Sequence, residues 1–380
     1  MKTIGVVGLG TMGIGIAQVA ASAGCQVRMF DAFPVSLETA KPRLKKTLNS
    51  LAAKGKLTET EASTIAARLH PAQSLHEFAD CDLVIEAIIE NRDLKADLFR
   101  QLEPIISPTC LLASNTSSLS IASLAAACKH PGRFIGIHFF NPASIMKLVE
   151  IIPAVQTEAQ TLTLALETVR SWGKITVLAK DTPGFIVNRV ARPFYGEALR
   201  ILDEGIADMA TIDWAMKTIG GFPMGPFELM DFIGHDVNFV VTETVFQAFY
   251  YDPRYMPSFS QKRLLEAGYL GRKSGKGFYD YTEGASKPQP AENSELGKTI
   301  VNRILAMLIN EAAEALHYSI ASATDIDLAM TKGVNYPMGL LAWGKELGYH
   351  QIVAHLDHLF DTYHDPRYRC SIGLRKLASA

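Results

Sequence analysis

Short, mainly apolar runs of β-branched, aliphatic and aromatic residues punctuate the first half of the chain. They stand at residues 3–8, 26–31, 83–88, 111–115, 134–140, 148–152 and 175–179. Helical periodicity fills residues 11–24, between the first two, and residues 158–172, before the last. This alternation predicts a mostly parallel sheet with helices on both faces. Residues 34–69 read differently, charged and helical with no strand, which predicts a helical excursion standing off the sheet. The texture changes at Asp181-Thr182-Pro183, where Thr182 suits a helix cap and Pro183 a first turn. Beyond it the pattern is helical almost throughout.

That helical half repeats itself. Ile186-Val187-Asn188-Arg189 returns as Ile300-Val301-Asn302-Arg303, Asp213 as Asp327, and Pro223-Met224-Gly225 as Pro337-Met338-Gly339, each 114 positions on. The DPRY segment at Asp252 returns at Asp365, 113 positions on. The period is too long for a solenoid repeat and fits duplication of a small helical domain. The Pro-, Ser-, Glu- and Ala-rich stretch after Gly284 reads as a linker. The expected organisation is therefore 1–182, 183–283, a linker at 284–297, and a second helical copy at 298–380. The fold class is α/β plus all-α, a doubly wound sheet followed by two tandem helical domains.

Composition narrows the function by exclusion. With 380 residues, 48% hydrophobic and 20% charged, the chain is of ordinary globular type and long enough for several domains. A formal net charge of -2 points to neither nucleic acid nor a membrane surface. The five cysteines show no paired spacing and suit a reducing compartment. No run matches a membrane span. The first strand begins near Thr3, so no leader is expected and a cytoplasmic location is.

Gly8-Leu9-Gly10-Thr11-Met12-Gly13 follows the first predicted strand and opens the first predicted helix. Glycines so spaced allow a tight turn, close approach of a pyrophosphate and packing of helix on strand. Asp31 ends the next strand, where a carboxylate binds a ribose 2′-hydroxyl and repels a 2′-phosphate. NAD is the cofactor this predicts, on a Rossmann-type sheet.

His138 lies in an apolar run, and Glu150 closes another twelve residues later. A lone histidine in such a run is often a hydrogen-bonded core residue. Here it falls at the C-terminal end of a strand, where open sheets bind ligands, and Asn141-Pro142 then turns the chain. With a carboxylate behind it, it is a candidate general acid/base. Ser117, in Asn115-Thr116-Ser117-Ser118, either caps the next helix or bonds a substrate oxygen. Asn188 either satisfies backbone at a domain junction or binds substrate. Lys41, Arg43, Lys45, Lys46, Lys54 and Lys56 make a solvated helix face or a landing site for a phosphate-bearing carrier. The late histidines His350, His355, His358 and His364 match no metal-ligand spacing, and no metal is expected.

The segments VVGLGTMGIGIA, IEAIIENRDLK, ASNTSSLSI, HFFNPASIMKLVE, DTPGFIVNR, GFPMGPFELMD and GRKSGKGFYDY, in this order, resemble the L-3-hydroxyacyl-CoA dehydrogenase family. The likeness runs from Met1 to about Tyr281, and the repeat extends it to the end. The resemblance implies that His138 is the general base for the 3-hydroxyl, that Glu150 orients it, that Ser117 lies near the hydroxyl and nicotinamide, and that Asn188 lies beside the acyl group. It also implies dinucleotide contacts at Glu90, Lys95, Asn141 and Lys273, joining those of residues Gly8 to Gly13 and Asp31. Lys54 matches a CoA-contacting lysine, and Thr47 stands where relatives can carry a serine. The duplicated helical part resembles longer bacterial members, the 3-hydroxybutyryl-CoA and 3-hydroxyadipyl-CoA dehydrogenases of aromatic catabolism. It also resembles the dehydrogenase part of multifunctional fatty-acid oxidation proteins.

The activity implied is reversible NAD-dependent oxidation of (S)-3-hydroxyacyl-CoA to 3-ketoacyl-CoA. Two other readings stay open from the residues: a dehydrogenase of a free hydroxy acid of gulonate or carnitine type, and a non-catalytic NAD-binding protein. The expected partner is an acyl-CoA substrate, with no nucleic acid and no membrane. A monomer or homodimer is expected, with the second helical copy standing in a dimer partner's place and Asn302 a relic.

Overall fold

The computed structural model describes residues 1–380. Its internal contacts divide the chain into two compact units, Met1–Thr182 and Pro183–Ala380.

The first unit follows the expected alternation. In chain order it runs β1 (Thr3–Val7), α1 (Thr11–Ser22), β2 (Gln26–Phe30), α2 (Pro34–Ala53), α3 (Glu59–Ala67), β3 (Leu69–Pro71), β4 (Leu83–Glu86) and α4 (Arg92–Leu102). It continues with β5 (Leu111–Ser114), α5 (Ile121–Ala125), β6 (Phe134–Phe139), β7 (Leu148–Pro153), α6 (Ala159–Ser171) and β8 (Ile175–Leu178). The eight strands form one sheet in the order β3-β2-β1-β4-β5-β6-β7-β8. All neighbours are parallel except β6 and β7. Strand order reverses between β1 and β4, the switch point at which such sheets bind nucleotides. Strands β4, β5 and β6 are buried along their whole length, as sheets covered on both faces require.

Two details depart from the sequence expectation. Residues 69–71 form a strand at the sheet edge, too short for its pattern to register. The charged excursion also does not stand clear of the sheet. Leu37, Ala40, Leu44 and Leu48 recur at helical spacing on α2, and all four are buried in the core that contains Ile4, Val27 and Leu69. The lysines take the opposite face. The helix α3 starts at a reciprocal cap, in which the Thr58 side chain accepts from the Glu61 amide and Glu61 accepts from the Thr58 amide.

The second unit is helical: α7 (Val187–Val190), α8 (Arg192–Asp203), α9 (Met209–Trp214), α10 (Pro226–Ile233), α11 (His235–Ala248), α12 (Phe259–Glu266), α13 (Ser294–His317), α14 (Ala323–Gly333), α15 (Leu340–Leu347), α16 (Tyr349–Tyr363) and α17 (Ile372–Ala378). The first helix begins at Val187 rather than at Pro183. Gly184 and Phe185 hold φ of +72° and +48°, outside the right-handed helical region. The helix α13 begins at Ser294, capped by Asn293.

The repeat is structural as well as sequential. Adding 114 to the first residues of α9, α10 and α11 gives the first residues of α14, α15 and α16. Asp213 accepts the amides of Phe227 and Glu228 at the start of α10; Asp327 does the same for Leu341 and Ala342 of α15. The two copies clasp reciprocally. Arg189 Nε donates to Glu311 Oε1 at 2.6 Å, and its counterpart Arg303 Nε donates to Glu197 Oε1 at 2.6 Å. Tyr255 and Tyr368 hydroxyls complete the two carboxylates. All six side chains are buried. Breaking one partner of such a pair strands a charge, at roughly 3–5 kcal/mol.

Candidate active site

The glycine turn leaves β1 and enters α1 at the switch point. Gly8 has φ of +93°, and a Cβ there would meet the Ala87 carbonyl. A Cβ on Gly13 would strike the Gly8 carbonyl oxygen. Both positions exclude side chains for packing reasons. Gly10 is different, for nothing lies within 4 Å of its Cβ position. It is exposed, and it caps α1, whose N-terminus has no side-chain cap. The first-turn amides of Thr11, Met12 and Gly13 therefore meet an open approach, which suits a pyrophosphate. Leu9 is buried and gives its amide to Asp31 Oδ2 at 2.7 Å, while Asp31 Oδ1 accepts from Phe33 at 2.8 Å. Asp31 is thus locked to the turn, with oxygen lone pairs left for a sugar hydroxyl. These residues fit a dinucleotide without a 2′-phosphate.

Further along the same sheet, β6 carries His138 and β7 carries Glu150. The antiparallel register sets the two directly opposite. His138 Nδ1 lies 2.7 Å from Glu150 Oε2. The glutamate is fully buried and the histidine 6% exposed, next to the Phe140 ring at 4.5 Å. An ionised carboxylate only accepts, so this bond requires Nδ1–H and assigns the basic lone pair to Nε2. The end of β5 is tied to the end of β6, since Asn115 Oδ1 accepts the Phe139 amide at 2.9 Å.

Glu90 organises the loop after β5. It accepts from Thr116 Oγ1 at 2.5 Å, from the Ser117 amide at 3.0 Å and from Ser118 Oγ at 3.1 Å. Burial works against its ionisation, but the Lys95 ammonium and these donors outweigh it and hold the carboxyl below the usual range. Lys95 is 1% exposed and reaches Glu86 at 2.5 Å and Glu90 at 3.2 Å. Its charge acts from beneath the loop through Glu90. Asn141 is exposed just beyond β6. Thr47 and Lys54 occupy the exposed side of α2 and its C-terminal cap, and the Thr47 hydroxyl donates back to the Arg43 carbonyl.

Within the second unit, Asn188 lies on α7 and is partly exposed. Lys273 is exposed and pairs with Asp236 at 2.5 Å. Two contributors were passed over by motif reading. One is Asn115, whose amide fixes β6 beside His138. The other is Asp181, which accepts from Ser120 and from the Ile121 and Ala122 amides to cap α5. A polar residue closing an apolar run was the available signal for each. No three His, Cys, Asp or Glu side chains converge to hold a metal.

A glycine turn that fits a dinucleotide and a buried histidine–carboxylate pair on one sheet suit one kind of chemistry, the pyridine-nucleotide-dependent oxidation of an alcohol or reduction of a ketone. The family comparisons sharpen this. Residues 3–182 match the NAD binding domain of 3-hydroxyacyl-CoA dehydrogenase, and residues 184–281 and again 300–380 match its C-terminal domain. The 3-hydroxyadipyl-CoA dehydrogenase of Escherichia coli K12 is 39% identical across 98% of this chain and 96% of its own length. A probable 3-hydroxybutyryl-CoA dehydrogenase of Deinococcus radiodurans is 45% identical across 73% of this chain and 99% of its own. The crystal structure of 3-hydroxybutyryl-CoA dehydrogenase from E. coli K12 covers 100% of this chain and 98% of its own, with a TM-score of 0.93 and 38% identity. The chain belongs to the 3-hydroxyacyl-CoA dehydrogenase family. Its activity is that of an NAD-dependent 3-hydroxyacyl-CoA dehydrogenase, as the motifs led one to expect.

Proposed function

We propose that His138 is the general base of this dehydrogenase and that Glu150 positions it. The observation that carries the reading is the 2.7 Å contact between His138 Nδ1 and the buried Glu150 carboxylate. In the oxidising direction Nε2 takes the proton of the 3-hydroxyl as C3 becomes a ketone. In the reducing direction the imidazolium returns it. Glu150 holds the ring in the required tautomer and keeps a negative charge beside the imidazolium. NAD, when bound, supplies the hydride acceptor for C3. The turn from Gly8 to Gly13 and Asp31 would hold its pyrophosphate and ribose. Glu90 fixes the Ser117 loop, and Ser117 would bond the substrate oxygen. Asn188 would meet the acyl portion, Lys54 and Thr47 the CoA portion, and Asn141 and Lys273 the dinucleotide.

In this reading residues 1–182 bind NAD, residues 183–283 serve the substrate, and the copy at 298–380 takes the place a second chain would fill. The reciprocal clasp of Arg189 with Glu311 and Arg303 with Glu197 supports the last point. The substrate we favour is a short 3-hydroxyacyl-CoA, after the relatives named for 3-hydroxybutyryl-CoA and 3-hydroxyadipyl-CoA. The five unpaired cysteines suit a reducing cytoplasm, and no helix is long and apolar enough to cross a membrane. Steady-state turnover of acetoacetyl-CoA with NADH tests the mechanism. His138→Gln should lower kcat by roughly 10²–10⁴ with NAD binding retained. Native-like turnover in that variant removes His138 from the reaction.

A further inference from the structure

The two helical copies are near-equivalent, so places where they differ stand out. In the second copy, α17 closes onto α13. Asn310 of α13 donates to the Arg369 carbonyl and accepts the Ser371 amide, and Gly373 packs against the Ala313 carbonyl. The counterpart groove, between α8 and α12, stays open. It is a cavity of about 610 Å³ lined by Gly196, Arg200, Phe239, Phe246, Met256 and Arg367 among others. Gly196 stands where the second copy has Asn310, and nothing lies within 4 Å of its Cβ position.

The charges differ too. Arg254, in the first DPRY segment, reaches Glu311 at 3.2 Å and Glu314 at 2.6 Å. Arg367 is its counterpart, but the position equivalent to Glu314 holds Arg200. The position equivalent to Glu311 is Glu197, whose Oε1 serves Arg303 and Tyr368. Glu204 also goes to Arg303. Arg200 and Arg367 are left sharing Asp365, at 3.2 and 3.9 Å. Nε of each, like Nε of Arg254 in the other copy, is buried with no hydrogen-bond partner, so the difference lies in the acids: two for Arg254, one shared for Arg200 and Arg367. Arg367 is 4% exposed yet lines the cavity. The other acids on the wall are Asp203, held by Ser258 and Ser260, and Glu243. Tyr251, Met256 and Phe259 at the same cavity are 65%, 44% and 77% exposed, an uncovered apolar rim.

We propose that this cavity is a second ligand site, lined by none of the residues assigned to the dehydrogenase reaction, which takes a medium-chain aliphatic carboxylate with its head on Arg367 and Arg200 and its tail along Phe239, Phe246 and Met256. A carboxylate matches the guanidinium fork and gives two guanidiniums that share Asp365 a second anion. The apolar wall selects a tail, which inorganic phosphate lacks. The volume is that of a small-molecule pocket.

The test is calorimetric titration of the full chain with octanoate, octan-1-ol and inorganic phosphate. Octanoate should bind saturably and roughly ten- to a hundredfold more tightly than either of the others. Arg367→Met should weaken it by a similar factor. Gly196→Leu fills the cavity while replacing a helix-interior glycine, so it should abolish octanoate binding with the unfolding temperature kept or raised. It also decides the matter if Arg367→Met fails to fold. Octanoate binding that persists unchanged in Gly196→Leu, the absence of saturation, or equal binding of octan-1-ol or phosphate overturns the proposal.

Discussion

Replacing Glu150 with Gln isolates the carboxylate's charge from its shape. The side chain is fully buried, nearly isosteric with Gln, and 2.7 Å from His138 Nδ1. Two amide rotamers are available. With its carbonyl toward Nδ1–H, Gln keeps the tautomer but not the charge, forfeiting the charge-assisted part of a bond of about 1.5–3 kcal/mol. With its NH₂ toward Nδ1, it selects the Nε2–H tautomer, which accepts no proton. In both cases the imidazolium formed during oxidation loses a neighbouring anion. At an effective dielectric of about 20, a unit charge some 4 Å away contributes about 4 kcal/mol. A barrier increase of about 3–5 kcal/mol follows, or roughly 10²–10⁴ in kcat. The assay is NADH oxidation with acetoacetyl-CoA, alongside NAD affinity and thermal unfolding, which should change little. Turnover within about threefold of native, in a folded variant that binds NAD, would refute the argument that Glu150 works through His138.

Gly10→Ala and Gly13→Ala should separate binding from folding: the first, facing open space, should keep native stability and weaken NAD by on the order of tenfold, while the second, facing the Gly8 carbonyl, should lower the unfolding temperature as well. Burial pushes the Asp213 carboxyl up to about 7, against hydrogen bonds from Tyr279, Phe227 and Glu228. The folded chain then keeps a proton that the unfolded chain releases above the ordinary value of 3.8, so stability falls as pH rises from about 4 to 7, by up to about 1.4 kcal/mol per unit. Denaturant titrations across that window should show the slope, and Asp213→Asn should flatten it. Glu311 is the opposite case: burial disfavours its charge, but Arg189 and Arg254 outweigh it and hold its carboxyl below the ordinary range. Its contribution is present above the ordinary carboxylate value and lost as pH falls through that value towards the folded one. Glu311→Gln should cost roughly 3–5 kcal/mol in unfolding free energy at neutral pH.

Much of this was legible in the residues, because the signals were local. The turn from Gly8 to Gly13 and the acid at Asp31 lie within one strand-helix-strand unit, and the sheet's alternating runs are short-range patterns. The duplication was legible because it is literal, down to the Asp213 and Asp327 that cap α10 and α15. What the pattern missed depended on partners far along the chain. The edge strand at Leu69–Pro71 exists because β2 offers it a ladder. The start of α7 slips to Val187 because of backbone conformations at Gly184 and Phe185 that no periodicity encodes. Lys95, for which the resemblance implied a dinucleotide contact, is instead buried against Glu86, a carboxylate on the preceding strand, a pairing that no local pattern shows. His138 and Glu150 could be named as a pair, but only the antiparallel turn of β7 puts them at the same rung.

The duplicated helical region also shows where a repeat is constrained and where it is free. Arg189, Glu197, Arg303 and Glu311 form two copies of one contact, each buried and each using one residue from either copy. A change at any of the four strands a buried charge, so the clasp fixes the register of the two copies. The flanking positions carry no such reciprocal demand. Glu314 pairs with Arg189 and Arg254, while its counterpart Arg200 turns to Asp365. Asn310 fills its groove, while its counterpart Gly196 leaves one open. In a symmetric pair of separate chains both grooves would carry the same residue, and opening one would open the other. Fusing the copies into one chain removes that coupling, so one groove can hold Arg200 and Arg367 on a single shared acid beside an open cavity while Asn310 fills the other.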